Sequence, residues 1–259
     1  MALTLYGAIL SPFVRKVRIL LAEHQIPYEH TFIPPRGQPD WYYDISPLGR
    51  IPAIVDGDVK LADSAVIAQN LQDSRGGPSL YGSTPEEAAR VRWLEKYADY
   101  ELAPHCTFGV FFPRIVACSV GEPADEARVQ ASLNEHLPPL FDYLERELGE
   151  RRFFLGDQFS MADIAVVCQL INMAHAGELI DEARWPGLAS LLSRVTARAT
   201  DAPPRNGQTD RRSGHYDCPA PSPSAGPQAA AARPIATAIR TRQPTDPAIF
   251  APPPGNVPD

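Results

Sequence analysis

Cysteine is scarce in this 259-residue chain, and the four present, Cys106, Cys118, Cys168 and Cys218, are scattered. There is no CxxC pair and no cysteine–histidine spacing of a ligand set, which excludes a disulfide scaffold and a structural zinc module. Reduced thiols in a reducing, cytoplasmic compartment are the natural expectation. No apolar run approaches the roughly 18 residues of a membrane span. The first residues, Met1 to Gly7, enter directly into a strand pattern and carry no basic stretch followed by an apolar core, so no signal peptide is expected. Positive charge is also short: 24 Lys and Arg against 31 Asp and Glu leave a net charge of −7, which argues against a protein held to nucleic acid by phosphate contacts. No internal repeat is present. What is there is a composition 44% hydrophobic and 21% charged, enough for a sizeable core in one large or two ordinary domains.

The pattern changes character along the chain. Leu3 and Leu5 alternate with Thr4 and Tyr6 as in a half-buried strand. Pro12 suits the first turn of a following helix, since no amide hydrogen is needed there. That helix carries Phe13, Val17, Leu20 and Leu21 on one face and Arg15, Lys16 and Arg18 on the other. Residues 28–32 read as a second strand, 40–45 as a short irregular helix, and 53–61 as a hairpin turning at Asp56-Gly57-Asp58. Ser64 begins a helix with Val66, Ile67, Asn70 and Leu71. The order β-α-β-(loop)-β-β-α defines an α/β unit over residues 1–75, followed by a linker at 76–85.

From Pro85 the strand signals stop. Residues 86–102 show Ala89, Trp93, Tyr97 and Tyr100 at helical spacing, and 124–148 reads as a second amphipathic helix that Pro138-Pro139 should kink. Phe159 and Ser160-x-x-Asp163 form a staple and capping box opening a very apolar helix, and 185–198 is the last helical segment. Residues 86–200 thus form an all-helical domain of about five helices. Residues 201–259 contain no Leu, Lys or Glu and hold 13 of the 28 prolines, a composition that predicts disorder.

Three signals stand in order in the first unit: Ser11-Pro12-Phe13 at a strand-to-helix turn, Ile51-Pro52 before a strand, and Asp63-Ser64 at a helix start. With the capping box at Ser160, they resemble the cytosolic glutathione S-transferase superfamily, serine-type branch, with bacterial and theta- or tau-like members, over roughly residues 2–198. The resemblance implies a thioredoxin-like α/β N-terminal domain and an all-α C-terminal domain. It implies that Ser11 is catalytic, its hydroxyl and helix N-terminus favouring the thiolate of glutathione. Ser11 also reads as an ordinary helix cap, and the two roles are compatible.

Glutathione-binding positions carried over are Arg50 toward the glycyl carboxylate, Ile51 and cis Pro52 toward the cysteinyl backbone, and Asp63 and Ser64 toward the γ-glutamyl end. A solvated Arg50 and a plain Asp63-Ser64 cap are the ordinary alternatives. Gln38 and Trp41 lie in a loop that can flank the glycyl carboxylate. Tyr6 is the weaker candidate for the catalytic hydroxyl. Tyr97, Tyr100, His105 and Phe108, with Phe111 and Phe112, fall where the family places its acceptor pocket, although an aromatic stripe is more often core.

The function implied is glutathione transfer to a small hydrophobic electrophile in detoxification. Glutathione acts as co-substrate, no cofactor or metal is needed, and a homodimer is the expected assembly. Isomerase, dehalogenase or peroxidase chemistry would use the same site. A different class of reading is a glutathione-transferase-like binding or regulatory protein without turnover.

Overall fold

The computed structural model describes residues 2–200, and the expectation for residues 201–259 lies outside them. Four short strands form one sheet in the order β2–β1–β3–β4: β1 Leu3–Tyr6, β2 Tyr28–Thr31, β3 Ala53–Asp56 and β4 Val59–Ala62. β1 runs parallel to β2, with Leu3 opposite Tyr28, and antiparallel to β3, with Leu5 opposite Ile54. A two-residue turn, Gly57-Asp58, joins β3 to β4, and Gly57 supplies the positive φ of +61° that such a tight hairpin requires.

Helices α1 (Pro12–Glu23) and α2 (Ser64–Arg75) pack on the sheet. Leu3, Leu5 and Ile54 meet Val14, Val17, Leu20, Leu21, Ile67 and Leu71 in a core that continues into the helical half. A smaller cluster of Ile33, Tyr42 and Ala53 lies apart from it, with Tyr42 supplied by a 3-10 turn at Asp40–Asp44. This is the thioredoxin-like arrangement expected from the strand order.

The helical half contains four continuous helical runs among the described residues. The first holds α3 (Pro85–Tyr97), α4 (Ala103–His105) and α5 (Ala117–Ser119), joined by wider, π-type turns at Ala98–Leu102 and Cys106–Val116. Sequence patterning does not lead one to expect helix beyond residue 102, because Pro104, Gly109 and Pro113 are poor helix residues. Wider i→i+5 turns relieve the conflict, since proline has no amide to contribute to the ladder. The second run, α6 (Glu126–Ala131) and α7 (Leu137–Leu148), has a π-type turn at Ser132–His136 directly before Pro138-Pro139, where a simple kink is expected from sequence. The remaining runs are α8 (Met161–His175) and α9 (Pro186–Thr200). α8 is buried around its circumference and packs against α1, α3 and α9. Such all-round burial matches its uniformly apolar sequence.

Two face assignments from periodicity need correction. The inward face of α3 is Val91, Leu94, Glu95 and, one turn on, Ala98 and Leu102, whereas Ala89, Trp93 and Tyr100 of the aromatic stripe are exposed. In α1 the basic face does not look into solvent. Lys16 is only 1% exposed: α8 packs against α1, and Glu95 of α3 and Asp99 of the turn after it close over the ammonium. Its ammonium lies 2.8 Å from Asp99 Oδ2 and 3.0 Å from Glu95 Oε1. Burial alone would lower its pKa, but the two carboxylates outweigh burial and hold it above the ordinary lysine value.

Asp163 is fully buried and ties the loop before α8 to its first turn. Its Oδ1 accepts from Phe154 N–H at 2.9 Å, and its Oδ2 accepts from Ser160 N–H at 2.8 Å and from the Ser160 hydroxyl at 2.7 Å. Burial outweighs these bonds and pushes the carboxyl up to about 6. The capping box read from Ser160 and Asp163 is therefore present, with Phe159 buried beside it.

Candidate functional site

The turn from β1 into α1 is built around Gly7. Its φ of +151° and its closeness to α1 exclude a side chain: a Cβ would sit 2.4 Å from Val14 Cγ2 and 3.3 Å from Ile51 Cβ. The chain then reaches Ser11, which adopts extended backbone angles and caps α1. Ser11 Oγ accepts from Val14 N–H at 3.4 Å. A hydroxyl has one donor and two acceptor sites, so this cap leaves its O–H free to donate elsewhere.

Across from Ser11, the Ile51–Pro52 peptide bond is cis. The preceding carbonyl, Arg50 O, accepts from both Tyr42 Oη and Ser46 Oγ at 2.8 Å, which holds this segment firmly. Burial pushes the Tyr42 phenol up to about 12, so it remains a donor at neutral pH. Asp63, rather than Ser64, is the cap of α2: Oδ1 accepts from Ala65 N–H at 2.9 Å and Val66 N–H at 3.2 Å. A carboxylate is the better cap because it places negative charge at the positive helix end. Asp63 has a φ of +83°, unusual for a residue with a side chain. Ser64 is 4% exposed, and its hydroxyl has no hydrogen-bond partner among the described residues.

Ser11, Arg50, Ile51, Asp63 and Ser64 line one cavity of about 600 Å³. Its far wall is aromatic and apolar, including Tyr100, Phe108, Phe111, Phe112 and Val116. Pro52 is not among the lining residues, and two aromatic candidates also lie elsewhere. Tyr97 packs against Tyr143, with ring centroids 4.8 Å apart, and His105 stacks on His136 at 4.4 Å. Their helical phase turns them toward the second helical run, away from the cavity. Tyr6 packs on Trp41 and Tyr42, off the cavity lining, and Gln38 anchors its loop by donating to Gly49 O at 2.8 Å.

Sequence reasoning missed a polar network behind the cavity wall. Thr107, which lines the cavity, donates to Gln169 Oε1 at 2.6 Å and accepts from Asn172 Nδ2 at 3.4 Å. Arg15 donates to Asn172 Oδ1 at 2.7 Å, to Cys168 O at 3.2 Å and to Leu10 O at 3.4 Å. The signal for it was present as two amide side chains, Gln169 and Asn172, in the middle of a mostly apolar α8; Cys168 contributes only its main-chain carbonyl. The buried thiols are not poised for chemistry: burial pushes Cys168 up to about 11 and raises Cys106 as well. Among the described residues no cluster of three or more His, Cys, Asp or Glu could hold a metal ion, and no helix is long and apolar enough to cross a membrane.

Comparison with known proteins decides the family. Residues 5–79 match the glutathione S-transferase N-terminal domain, and residues 126–194 match the glutathione S-transferase C-terminal domain. Glutathione S-transferase F10 of Arabidopsis thaliana is 32% identical over 174 residues, covering 64% of this chain and 78% of that protein. The chain belongs to the cytosolic glutathione S-transferase superfamily. Human glutathione S-transferase theta-1 is 28% identical over 201 residues, 76% of this chain and 83% of its own. Among solved structures, a glutathione S-transferase from Rhodospirillum rubrum superposes with a TM-score of 0.72 at 25% identity, over 83% of this chain and 97% of that one. In this glutathione S-transferase family member, one cavity is thus bounded by the serine that caps α1 and by aromatic rings.

Proposed function

We propose that this chain is a glutathione transferase that binds glutathione in the 600 Å³ cavity and joins its sulfur to an electrophilic carbon of a hydrophobic acceptor. The observation that carries this reading is the sharing of one cavity by Ser11, Ile51, Asp63 and the unpartnered Ser64 with the aromatic wall of Phe108, Phe111 and Phe112. Ser11 donates its free O–H to the sulfur, and the N-terminus of α1 adds positive potential; both favour thiolate over thiol. Ser64 and the first turn of α2 receive the γ-glutamyl carboxylate. The oxygen of Asp63 not used in capping faces the γ-glutamyl ammonium, Ile51 pairs with the cysteinyl backbone, and Arg50 meets the glycyl carboxylate. The acceptor rests on the aromatic wall, so catalysis comes from thiolate stabilisation and proximity. Glutathione is a co-substrate and no resident cofactor is needed. A cytoplasmic homodimer is part of the same proposal, in keeping with the family and with Val66 and Trp93 exposed on α2 and α3.

Capture on immobilised glutathione, followed by turnover with a panel of electrophiles, tests the reading. Retention with turnover lost in Ser11→Ala is the expected result. Retention without turnover on any electrophile would instead favour a binding or regulatory protein.

A further inference from the structure

We propose that Arg36 selects acceptors that carry an anionic group on an aromatic or apolar body, an inference that rests on the transferase reading and names its substrate class. The guanidinium of Arg36 lies over the ring of Phe112, 4.6 Å from its centroid, and Phe112 lines the cavity. The neighbouring Pro35 lines the same cavity, so Arg36 stands where the loop after β2 meets the aromatic wall. That loop is held in place. Pro34, Pro35 and Pro39 restrict its backbone, and Gln38 ties it to Gly49 O at 2.8 Å and to the Tyr43 hydroxyl at 3.2 Å.

Arg36 forms no ion pair with a described residue, unlike Arg75, Arg90, Arg114, Arg184 and Arg198. Among the described residues, the carboxylates that line the cavity are already engaged: Asp63 caps α2 and Asp99 is bound to Lys16. Neither lining carboxylate is therefore free to pair with the guanidinium. An aromatic acceptor lying along Phe112 would bring a carboxylate or sulfonate on its outer edge beside Arg36. The ring contact holds the guanidinium at the cavity rim by its π-face attraction, and its N–H donors remain available to such a group.

The test compares binding of S-benzylglutathione with S-(3-carboxybenzyl)- and S-(4-carboxybenzyl)glutathione by calorimetry, which needs no turnover. The native protein should bind the better carboxylated conjugate about five-fold more tightly than S-benzylglutathione, the upper end for a partly exposed ion pair. Arg36→Gln should erase that advantage while leaving S-benzylglutathione within two-fold. No preference in the native protein, or a preference that survives Arg36→Gln, overturns the assignment while leaving the transferase reading intact. Failure of glutathione and all three conjugates to bind overturns the glutathione reading itself, and this proposal with it.

Discussion

Removing Asp163 should unfold the protein more readily than any change in the cavity. Asp163→Ala strips the acceptor from two buried backbone amides, Phe154 and Ser160, and from the buried Ser160 hydroxyl. Bonds to a charged acceptor contribute about 1.5–3 kcal/mol each, so three amount to roughly 4–9 kcal/mol. The pKa, raised from the ordinary 3.8 to about 6, is what remains after these bonds have offset part of the burial, and at about 1.4 kcal/mol per tenfold it leaves the ionised form about 3 kcal/mol less favourable than the protonated one at neutral pH. The loss in Asp163→Ala should therefore fall at the low end of the bond range, about 4–5 kcal/mol, or roughly 8–20 °C in melting temperature for a fold of this size. The folded pKa is raised, so the folded state binds the proton more tightly than the unfolded chain. Asp163 therefore adds stability below about pH 4, and that contribution is lost as pH rises through about 6. Calorimetric melts of native and Asp163→Asn proteins between pH 4 and 7 should show the native advantage shrinking by about 3 kcal/mol toward neutrality. A melting temperature for Asp163→Ala within 2 °C of native would refute the hydrogen-bond accounting, and a native advantage that grew with pH would refute the sign.

Ser11→Ala should raise the thiol pKa of bound glutathione by about one to two units, read from thiolate absorbance, and lower kcat at neutral pH by roughly ten- to a hundred-fold. Unchanged turnover, with Tyr6→Phe inactive instead, would move the role to Tyr6. Ser64→Ala should weaken glutathione binding by about 1.5–3 kcal/mol in calorimetry, the range for a lost hydrogen bond to a charged group; full affinity would remove Ser64 from the site. Lys16→Met leaves Glu95 and Asp99 buried without their cation and should cost about 3–5 kcal/mol in denaturant melts, less at acidic pH, where Asp99, whose carboxyl burial pushes up, takes up a proton. Gly7→Ala should cost at least about 1 kcal/mol, since its Cβ would lie 2.4 Å from Val14 Cγ2, and should lower turnover by displacing Ser11.

The N-terminal half was legible because its determinants are local. Alternation marks β1, Gly57 marks the hairpin and Pro12 marks the start of α1; in the helical half the capping box marks α8 in the same local way. That Ser11, Ile51 and Ser64 would stand at element ends was legible for the same reason, and the structure brings all three to the lining of one cavity. What escaped depends on contacts between distant parts of the chain. Tyr97 and Tyr100 are three residues apart on one helical stripe, yet Tyr100 borders the cavity and Tyr97 packs on Tyr143, because each turn of the helix meets a different neighbour. The helix beyond residue 102 was hidden by Pro104 and Pro113, whose usual effect is to end a helix. The wider hydrogen-bond register that accommodates them has no composition signal of its own.

Lys16 is the clearest case of position overriding periodicity, and it bears on how Ser11 is held. A charged residue on the polar face of an amphipathic helix normally points to water, but α1 is covered on both sides. Burying an ion pair is a weak source of stability, because desolvation offsets most of the attraction. Its consequence here is orientation. An apolar contact at that position would tolerate a small slide of α1 along α3, whereas the ammonium must stay within about 3 Å of both Glu95 and Asp99. Arg15 fixes the adjacent side of α1 to Cys168 O and Asn172 of α8. Arg198 of α9 pairs with Glu23 at the far end of the helix. With three polar attachments to the helical half, α1 cannot rotate or shift without breaking bonds to defined atoms. The serine at its N-terminus is thereby held in register with the aromatic wall, which is the geometry that attack by a bound thiolate on a bound acceptor requires.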